Sequence, residues 1–288
     1  MTLAPDRLYL DTAEAASALV IRRYSTSFGL ASRLLGARER RQICNVYALV
    51  RVADEVVDGV ATAAGLSAAE AGERLDDLER DVERAMATGY STDLIVHSFA
   101  CTARAAGFGP ELTRPFFASM RTDLTEVEHS QESFDAYVYG SAEVVGLMCL
   151  AVFLEGREVP PARRERFENG ARALGAAFQK VNFLRDLSAD FGSLGRSYFP
   201  GVTVTRFDEA TKDRLLDDLD RDLDEARASM LDLPRSSRGA VVAAHGLFAE
   251  LSRRLRATPS ARLATTRVSV PTVVKARIFA SAAVTGRK

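Results

Sequence analysis

The chain of 288 residues is 47% apolar and carries a formal net charge of −1. A chain of this length and apolar content can bury a sizeable core, and its near-neutral charge argues against a nucleic-acid partner. Its three cysteines form no CxxC motif and its three histidines do not cluster, which argues against a zinc site and a disulfide framework.

Neither end of the sequence indicates a targeting or membrane segment. The N-terminal stretch has no basic region followed by an apolar run, so we expect no signal peptide. We find no run of about 18 apolar residues and expect no membrane span. These observations predict a cytoplasmic protein. The basic stretch 253–288 is a candidate contact for the inner face of a membrane or for a diphosphate, and a plain solvated surface fits its charge equally well.

Ala, Leu, Arg and Glu, which favour helix, dominate the chain, and Gly and Pro punctuate it. The predicted helices cover, in chain order, 11–33, 38–60, 67–88, 92–106, 110–127, 131–155, 161–188, 207–231, 236–257 and 270–284. No long linker or low-complexity tract separates them. We therefore predict one all-α domain over residues 1–288, with no obligate protein partner evident.

The first motif lies in segment 43–59, whose apolar residues cover most of a helical circumference. A helix that is apolar nearly all round is buried. Its polar residues Tyr47, Arg51, Asp54 and Asp58 step by four, three and four, which places them on one face. A buried helix with a single polar stripe is typical of a ligand site.

A second segment, 134–153, carries small residues at Gly140, Ser141 and Gly146. Small residues allow helices to approach closely, or they leave room for a ligand. Tyr137 and Ser141 lie four apart and are compatible with one shared cavity. The sequence favours neither interpretation.

The third segment, 174–190, has the same pattern as the first, a single polar stripe among apolar residues. Gln179, Asn182, Asp186 and Asp190 step by three, four and four among apolar residues. Buried carboxylates are costly unless they are paired or hold a cation. Two such stripes facing each other would hold Mg²⁺ together with a phosphorylated substrate.

The alternative for these stripes is a buried salt-bridge network in which Arg51 and Arg185 neutralise the acids. Spacing alone does not decide, because four further aspartate pairs have the same spacing. They are Asp77/Asp81, Asp213/Asp217, Asp218/Asp222 and Asp220/Asp224. The last three flank a narrow leucine seam (Leu215, Leu216, Leu219, Leu223), and all four pairs predict ordinary surface helices.

Five stretches closely resemble the phytoene/squalene synthase family of head-to-head prenyl synthases. They are YSTSFGLASRLL (24–35), YALVRVADEVVD (47–58), YVYGSAEVVGLM (137–148), FQKVNFLRDLSADFGSLGRSYFP (178–200) and RVSVPTVVK (267–275). These motif sequences are most similar to those of actinobacterial 15-cis-phytoene synthases. The resemblance implies a helical isoprenoid-synthase bundle with a central cavity that takes two allylic diphosphates and Mg²⁺, with Mn²⁺ as a substitute.

The resemblance also implies roles for individual residues. Asp54 and Asp58 would hold one metal–diphosphate cluster, and Asp186 and Asp190 the other. The residues expected to contact diphosphate are Ser25, Ser27, Arg51, Arg185, Arg196, Tyr198, Arg267 and Lys275. The residues expected to line the reaction centre are Tyr47, Tyr137, Gln179 and Asn182.

The implied reaction is ionisation of one prenyl diphosphate, attack by the alkene of the second, closure of a cyclopropane and rearrangement to a 1′–1 linkage. Proton loss gives phytoene, whereas hydride delivery gives squalene. We expect no NADPH, because no GxGxxG fingerprint occurs, although this absence discriminates weakly. Small residues Ala31 and Ser32 beside the expected cavity are compatible with a C20 donor.

Three alternatives stay open. One is squalene or dehydrosqualene synthesis from farnesyl diphosphate, and a second is an aromatic prenyltransferase. The third is a prenyl-lipid-binding subunit without activity, which the intact aspartates disfavour. The chain differs from the residues that are commonest in the family's motifs at Glu55, Glu143 and Lys180. The latter two either alter the cavity or point away from it.

Overall fold

The structure is a computed structural model that describes residues 4–25, 27–126, 128–189, 198–203, 206–263 and 265–286, without the side chains of 27, 28, 188 and 189. Within these ranges the chain is helical and contains no β-strand, which confirms the all-α prediction. The helices are α1 (Pro5–Tyr24), α2 (Ser27–Ala31), α3 (Ala37–Val57), α4 (Val60–Ala63), α5 (Ala68–Thr88), α6 (Leu94–Ala106), α7 (Pro110–Thr125), α8 (Gln131–Val138), α9 (Val144–Leu154), α10 (Pro161–Ala189), α11 (Glu209–Met230), α12 (Arg235–Ala257), α13 (Ser260–Leu263) and α14 (Thr272–Thr285).

The first predicted helix, 11–33, is wrong in its bounds. Helix α1 begins earlier, at Pro5, because proline suits the first helical position. It ends at Tyr24, since Ser25 is extended with φ −131° and ψ 120°. Serine and threonine side chains compete for backbone hydrogen bonds and favour such breaks. The chain continues as α2 and a 3₁₀ turn, Ser32–Leu34.

Local end signals explain why the other predicted helices lie within three residues of the observed bounds. At the start of α5 the Ser67 N–H donates to Glu70 Oε2 at 2.8 Å, and the Glu70 N–H donates to Ser67 Oγ at 3.3 Å. This is the reciprocal capping box. Helix α6 stops at Gly107, whose φ of +75° is the left-handed conformation that glycine adopts without strain.

The two helices that carry the aspartate stripes belong to different apolar clusters. Helix α3 packs with α5, α6, α7 and α9 around fully buried residues such as Leu49, Phe99 and Phe117. Helix α10 packs with α8, α11 and α12 around Leu184 and Leu219. The two stripes therefore lie on helices that contribute to two different apolar clusters.

The small residues of segment 134–153 serve close helix packing at two positions. A Cβ at Gly140 would overlap Ser119 Oγ and the Pro115 carbonyl oxygen of α7. A Cβ at Gly146 would overlap the Ala171 carbonyl oxygen of α10. Gly140 itself belongs to a π-helical turn, Tyr139–Glu143, a feature that is frequent at functional sites. Tight packing is thus the correct interpretation for these two glycines.

The sequence-based expectation that no segment is long and apolar enough for a membrane span needs correction. Helices α8 and α9, with the π turn, form one helical run of 24 residues, Gln131–Leu154, and an 18-residue stretch within it has a mean hydropathy of 1.7. Length and composition alone would let it cross a membrane. More than half of that 18-residue stretch, 56%, is buried inside the protein. Such burial is typical of a core helix.

Lys212 of α11 is buried, with 2% of its surface exposed, and it caps another helix. Its Nζ donates to the carbonyl oxygens of Arg256 at 3.2 Å and Thr258 at 2.9 Å, where α12 ends, and lies 2.5 Å from Glu209. The last carbonyls of a helix need such partners.

Replacing Lys212 by methionine should lower the free energy of unfolding by about 2–3 kcal/mol, because both carbonyls lose a charged donor and stay buried. Urea unfolding of Lys212→Met measures this. The exposed Arg214 on the same helix supplies the control, Arg214→Met, which should lie within about 0.5 kcal/mol of wild type. Equal stability of the two variants would contradict the capping role.

Candidate active site

The polar stripe predicted on α3 forms one wall of the site. Tyr47, Arg51 and Asp54 are half-buried along it, and Asp58 is exposed at the helix end. The phenol of Tyr47 shares a hydrogen bond with the side chain of Ser25, at the break after α1. The structure therefore brings Ser25 to this stripe, as expected for a common site.

Arg51 is held by neighbours on both sides. Its guanidinium lies 4.8 Å from the centroid of the Tyr24 ring. It forms an ion pair with Glu55, one helical turn away, and its Nη1 lies 3.8 Å from Asp54 Oδ2. Its Nε is buried and has no hydrogen-bond partner among the described residues. A buried, unpaired N–H of this kind is costly, and an anionic ligand would satisfy it.

Asp54 lies in an excess of negative charge. Burial and the neighbouring charges of Asp58 and Asp123 together raise the pKa of its carboxyl to about 8, although Arg51 acts to lower it. Desolvation and like charges both disfavour the ionised form. A bound cation would reverse this balance, because it would pair with the carboxylate.

The second predicted stripe lies on α10. Gln179, Asn182 and Asp186 are half-buried along it. Asp186 is neutralised by two arginines: Arg185 Nη2 lies 2.6 Å from Asp186 Oδ2, and Arg267 Nε lies 2.8 Å from Asp186 Oδ1. The salt-bridge alternative thus describes the ligand-free Asp186 but not Asp54. The contact also brings the C-terminal basic segment to the site.

For four of the predicted site residues the structure gives partial information or none. Asp190 and Arg196 lie outside the described residues. Ser27 begins α2, but its side chain is not among those described. Lys275 is half-buried in the first turn of α14. Their assigned roles stay predictions.

Asp123 of α7 is a functional candidate that the sequence analysis missed. It is 6% exposed. The Tyr137 hydroxyl donates to its Oδ2 at 2.8 Å, and the Tyr198 hydroxyl donates to its Oδ1 at 3.2 Å. Its charge also acts on Asp54. A signal was present in the sequence, since Asp123 continues the apolar face of Phe116 and Met120 at helical spacing.

Aromatic rings connect the Asp123 carboxylate to α10. The Tyr198 ring stacks on Phe183 of α10, with centroids 4.1 Å apart and planes at 13°. The Tyr137 ring lies 5.4 Å from Tyr198 and 5.3 Å from His129. This aromatic box lies between the helix that carries Asp186 and the carboxylate that influences Asp54.

Of the three departures from the commonest family sequence, Glu143 and Lys180 point away from the stripes. Lys180 Nζ lies 2.5 Å from Asp218 Oδ2 and 2.7 Å from Asp222 Oδ2, both on α11. Arg172 Nε donates to Glu143 Oε2 at 2.7 Å. Glu143, Arg172 and Asp222 line a separate open groove of about 360 Å³. Neither substitution therefore changes the polar stripe of α10.

The other aspartate pairs mostly behave as predicted for surface helices. Side chains of Asp77, Asp213 and Asp217 are 53%, 52% and 68% exposed. The leucine seam between them on α11 is buried. Burial and charge context, rather than spacing, separate Asp54 and Asp186 from these pairs.

The stripes fit Mg²⁺ bound jointly with a substrate better than a protein-only metal cage. Among the described residues, no three carboxylate, histidine or cysteine side chains are grouped closely enough to hold an ion. Mg²⁺ is usually held by one or two carboxylates plus phosphate oxygens. Asp54, which Arg51 neutralises only in part, lies near Asp58, and the two match that donor set.

Known proteins share both the sequence and the fold. A family model described as squalene/phytoene synthase matches residues 21–273. A 15-cis-phytoene synthase of Synechocystis is 31% identical over 68% of this chain and 58% of that protein. A 4,4'-diapophytoene synthase of Staphylococcus haemolyticus is 27% identical over 69% of this chain and 67% of that protein. The crystal structure of a dehydrosqualene synthase in complex with ligand, 21% identical, has the same fold with a TM-score of 0.75 over 97% of this chain and 98% of that chain. The chain thus spans less than two thirds of the cyanobacterial protein.

Proposed function

The chain belongs to the squalene/phytoene synthase family of head-to-head prenyltransferases, and on that basis we propose that it is a 15-cis-phytoene synthase. It would condense two molecules of geranylgeranyl diphosphate through a cyclopropyl diphosphate, releasing two diphosphates. The relatives named phytoene synthase, at 30–31% identity in Synechocystis and Pantoea ananas, support this choice of donor.

The observation that carries the proposal is the charge pattern of the α3 stripe. Asp54 is a half-buried carboxylate whose pKa is raised to about 8 by burial and neighbouring acids. Beside it, Arg51 has a buried Nε without a partner among the described residues. A metal-bound diphosphate would complement both, because it brings a cation for the acids and oxygens for the guanidinium.

Asp54 and Asp58 on one wall, and Asp186 with Asp190 on the other, would hold Mg²⁺. The ion, when bound, supplies charge stabilisation for the departing diphosphate. Arg51, Arg185 and Arg267 would exchange their carboxylate partners for diphosphate oxygens. Such exchange would keep the half-buried charges of Arg51 and Arg185 paired throughout binding.

The apolar and aromatic surroundings would protect the carbocation. Water would convert an allylic cation to an alcohol, so the reaction needs a dry site. Tyr137 and Phe183 are 5% exposed, and their rings lie 5.9 Å apart. The faces of such rings attract cations. The box thus combines exclusion of water with a favourable environment for positive charge.

Product analysis tests the proposed function. The protein is incubated with Mg²⁺ and either geranylgeranyl or farnesyl diphosphate, each with and without NADPH. A C40 hydrocarbon that forms without NADPH is the expected result. A C30 product made only from farnesyl diphosphate would favour the activity named for the staphylococcal relative. If neither donor gives a hydrocarbon, a prenyltransferase with an aromatic acceptor is the next candidate. Cytoplasmic location and transient contact with a membrane surface stay predictions.

A further inference from the structure

Helix α14 has one face packed against the protein and one face exposed. Its inner face packs on α12 and on the apolar cluster of α10 through Val274, Ile278 and Phe279. Its outer face, at successive helical steps, consists of residues that are all exposed: Val273, Ala276, Arg277, Ala280, Ser281 and Val284. Among the large apolar residues that the structure describes, Val273 and Val284 are the two most exposed, at 80% and 59%.

The composition of α14 is unusual for a helix at the surface. A surface helix normally combines an apolar stripe with a charged opposite face, whereas a helix that is apolar nearly all round is covered on all sides. The only charged residues of α14 are Lys275 and Arg277. Because α12 covers the inner side alone and the outer residues stay exposed, the composition indicates that a further apolar surface covers the outer face.

The charge of this region distinguishes between the surfaces that could cover α14. Beyond Glu250 the sequence has no acidic residue, whereas Arg and Lys recur through 253–288. The arginines at the end of α12 are paired with carboxylates of α11 and α12. Arg277, in the middle of the outer face, has no ion-pair partner among the residues that the structure describes. An anionic surface would complement it.

A second copy of the chain fits this face less well. Closed dimers of identical chains are mostly twofold symmetric, so that the same patch meets itself. Such a contact through the outer face of α14 would place two copies of Arg277 close together, and the face supplies no carboxylate to neutralise them. The charge therefore favours a lipid surface over self-association.

The dimensions of α14 fit a helix that lies on a membrane rather than one that crosses it. Its 14 residues extend about 21 Å, which is shorter than the hydrocarbon core of about 30 Å. An interfacial helix buries its apolar side at the boundary between headgroups and acyl chains, while its basic side chains reach the headgroups. Val273, Ala280 and Val284, together with Arg277, have this arrangement.

We propose that the outer face of α14 binds a membrane surface that contains anionic lipid. Val273 and Val284 would enter the boundary of the acyl chains, and Arg277 would pair with lipid phosphates. Binding would bring the site close to the lipid, because a short connection joins α14 to Arg267, which pairs with Asp186. The inference goes beyond the proposed function and does not depend on it, since binding to lipid needs no substrate.

Sedimentation with lipid vesicles tests the proposal. We expect the full chain to bind vesicles of mixed phosphatidylcholine and phosphatidylglycerol, and to bind pure phosphatidylcholine much more weakly. Combining Val273→Asp with Val284→Asp should lower the affinity for the mixed vesicles about 100-fold, because two valines lose their burial. Arg277→Glu should lower it at least about fivefold, the factor for one basic residue at an anionic surface. The matched controls are Val60→Asp, at a valine that is 54% exposed, and Arg84→Glu, at an exposed arginine of α5, and both should bind like wild type.

A fluorescent reporter provides a second measurement. The chain contains no tryptophan, so Val273→Trp introduces a single reporter on the outer face. Its emission should shift to shorter wavelength on the mixed vesicles, because the indole moves from water to the membrane interface. Val60→Trp is the control and should not shift. Thermal unfolding of every variant checks that the chain is folded.

Four results would overturn the inference. They are an absence of binding to the mixed vesicles, equal binding to neutral and mixed vesicles, and wild-type binding by the double valine variant. The fourth is a dimer in lipid-free sedimentation velocity that the same double substitution dissociates, because a second copy would then cover α14. Failure of the proposed function is distinguishable, since it would appear as an absence of head-to-head product whether or not the protein binds vesicles.

Discussion

Replacing Asp54 by asparagine should reduce turnover at least about 10³-fold while preserving the helical fold. The carboxamide carries no charge and is a poor ligand for a hard cation. The departing diphosphate then loses several kcal/mol of charge stabilisation, which corresponds to this factor. Steady-state assays with geranylgeranyl diphosphate and Mg²⁺ measure the effect. Asp186→Asn should give a loss of the same kind on the opposite wall.

The same substitution should not destabilise the metal-free protein. The pKa of Asp54 is raised from 3.8 to about 8 in the folded chain, chiefly by burial. The folded state thus retains a proton that the unfolded state releases, and this residue's contribution to stability falls as pH rises through that interval. Asp54→Asn should remove that pH dependence, and in a chelator at about pH 8 it should unfold at or above the wild-type temperature.

The exposed Asp77 supplies a matched control, because it belongs to a pair with the same four-residue spacing on a surface helix. Asp77→Asn should leave turnover unchanged and shift stability by less than about 0.5 kcal/mol. Near-normal turnover in Asp54→Asn would contradict the assignment of Asp54 to the active site. A large drop in its metal-free stability would instead indicate a structural ion pair.

The parts of the fold that depend on local chemistry were predictable. Helix α11 follows from its leucine seam, α5 begins at its capping box, and α6 ends at Gly107. The stripe of Asp54 followed from one helix's own periodicity. The break at Ser25 was not predicted, because it depends on serine and threonine side chains that compete for helical hydrogen bonds, which apolar spacing does not reveal.

The parts that depend on distant partners were not predictable. Asp123 acquires its character from Tyr137 and from Tyr198, 75 residues away, and no single-helix pattern contains that information. The direction of the Lys180 side chain was equally unpredictable, because it depends on two aspartates of α11 that pair with it. Periodicity shows which residues share a face, whereas tertiary packing determines what that face meets.

The arginines near Asp54 and Asp186 are arranged differently. The metal-site and the salt-bridge interpretations of the stripes are therefore compatible. Asp186 is paired with Arg185 and Arg267, as a salt-bridge network requires. Asp54 stays under-neutralised, because Arg51 pairs mainly with Glu55. Pairing in the ligand-free state avoids leaving buried charges alone, and it is compatible with release when a diphosphate offers a better acceptor.

Gly140→Ala should lower the free energy of unfolding by about 3 kcal/mol or more, the upper range for overpacking. Its Cβ would overlap Ser119 Oγ and the backbone carbonyl oxygen of Pro115. A backbone carbonyl cannot rotate away, so α7 and α8 must move apart. That movement would break the hydrogen bond from Ser119 Oγ to the Tyr137 carbonyl oxygen, now 3.2 Å long. Urea unfolding measures the loss.

Turnover should fall together with stability in Gly140→Ala, because Asp123 lies on α7 and Tyr137 on α8, and their bond spans the widened interface. Gly72→Ala is the control, since the nearest neighbour of its Cβ is Leu124 Cδ1 at an ordinary 3.7 Å. That helical glycine should gain about 0.5–1 kcal/mol and keep full activity. Equal stability of Gly140→Ala and Gly72→Ala would show that α7 and α8 can move apart at little energetic cost. Packing at Gly140 would then not be what holds Asp123 and Tyr137 at hydrogen-bonding distance.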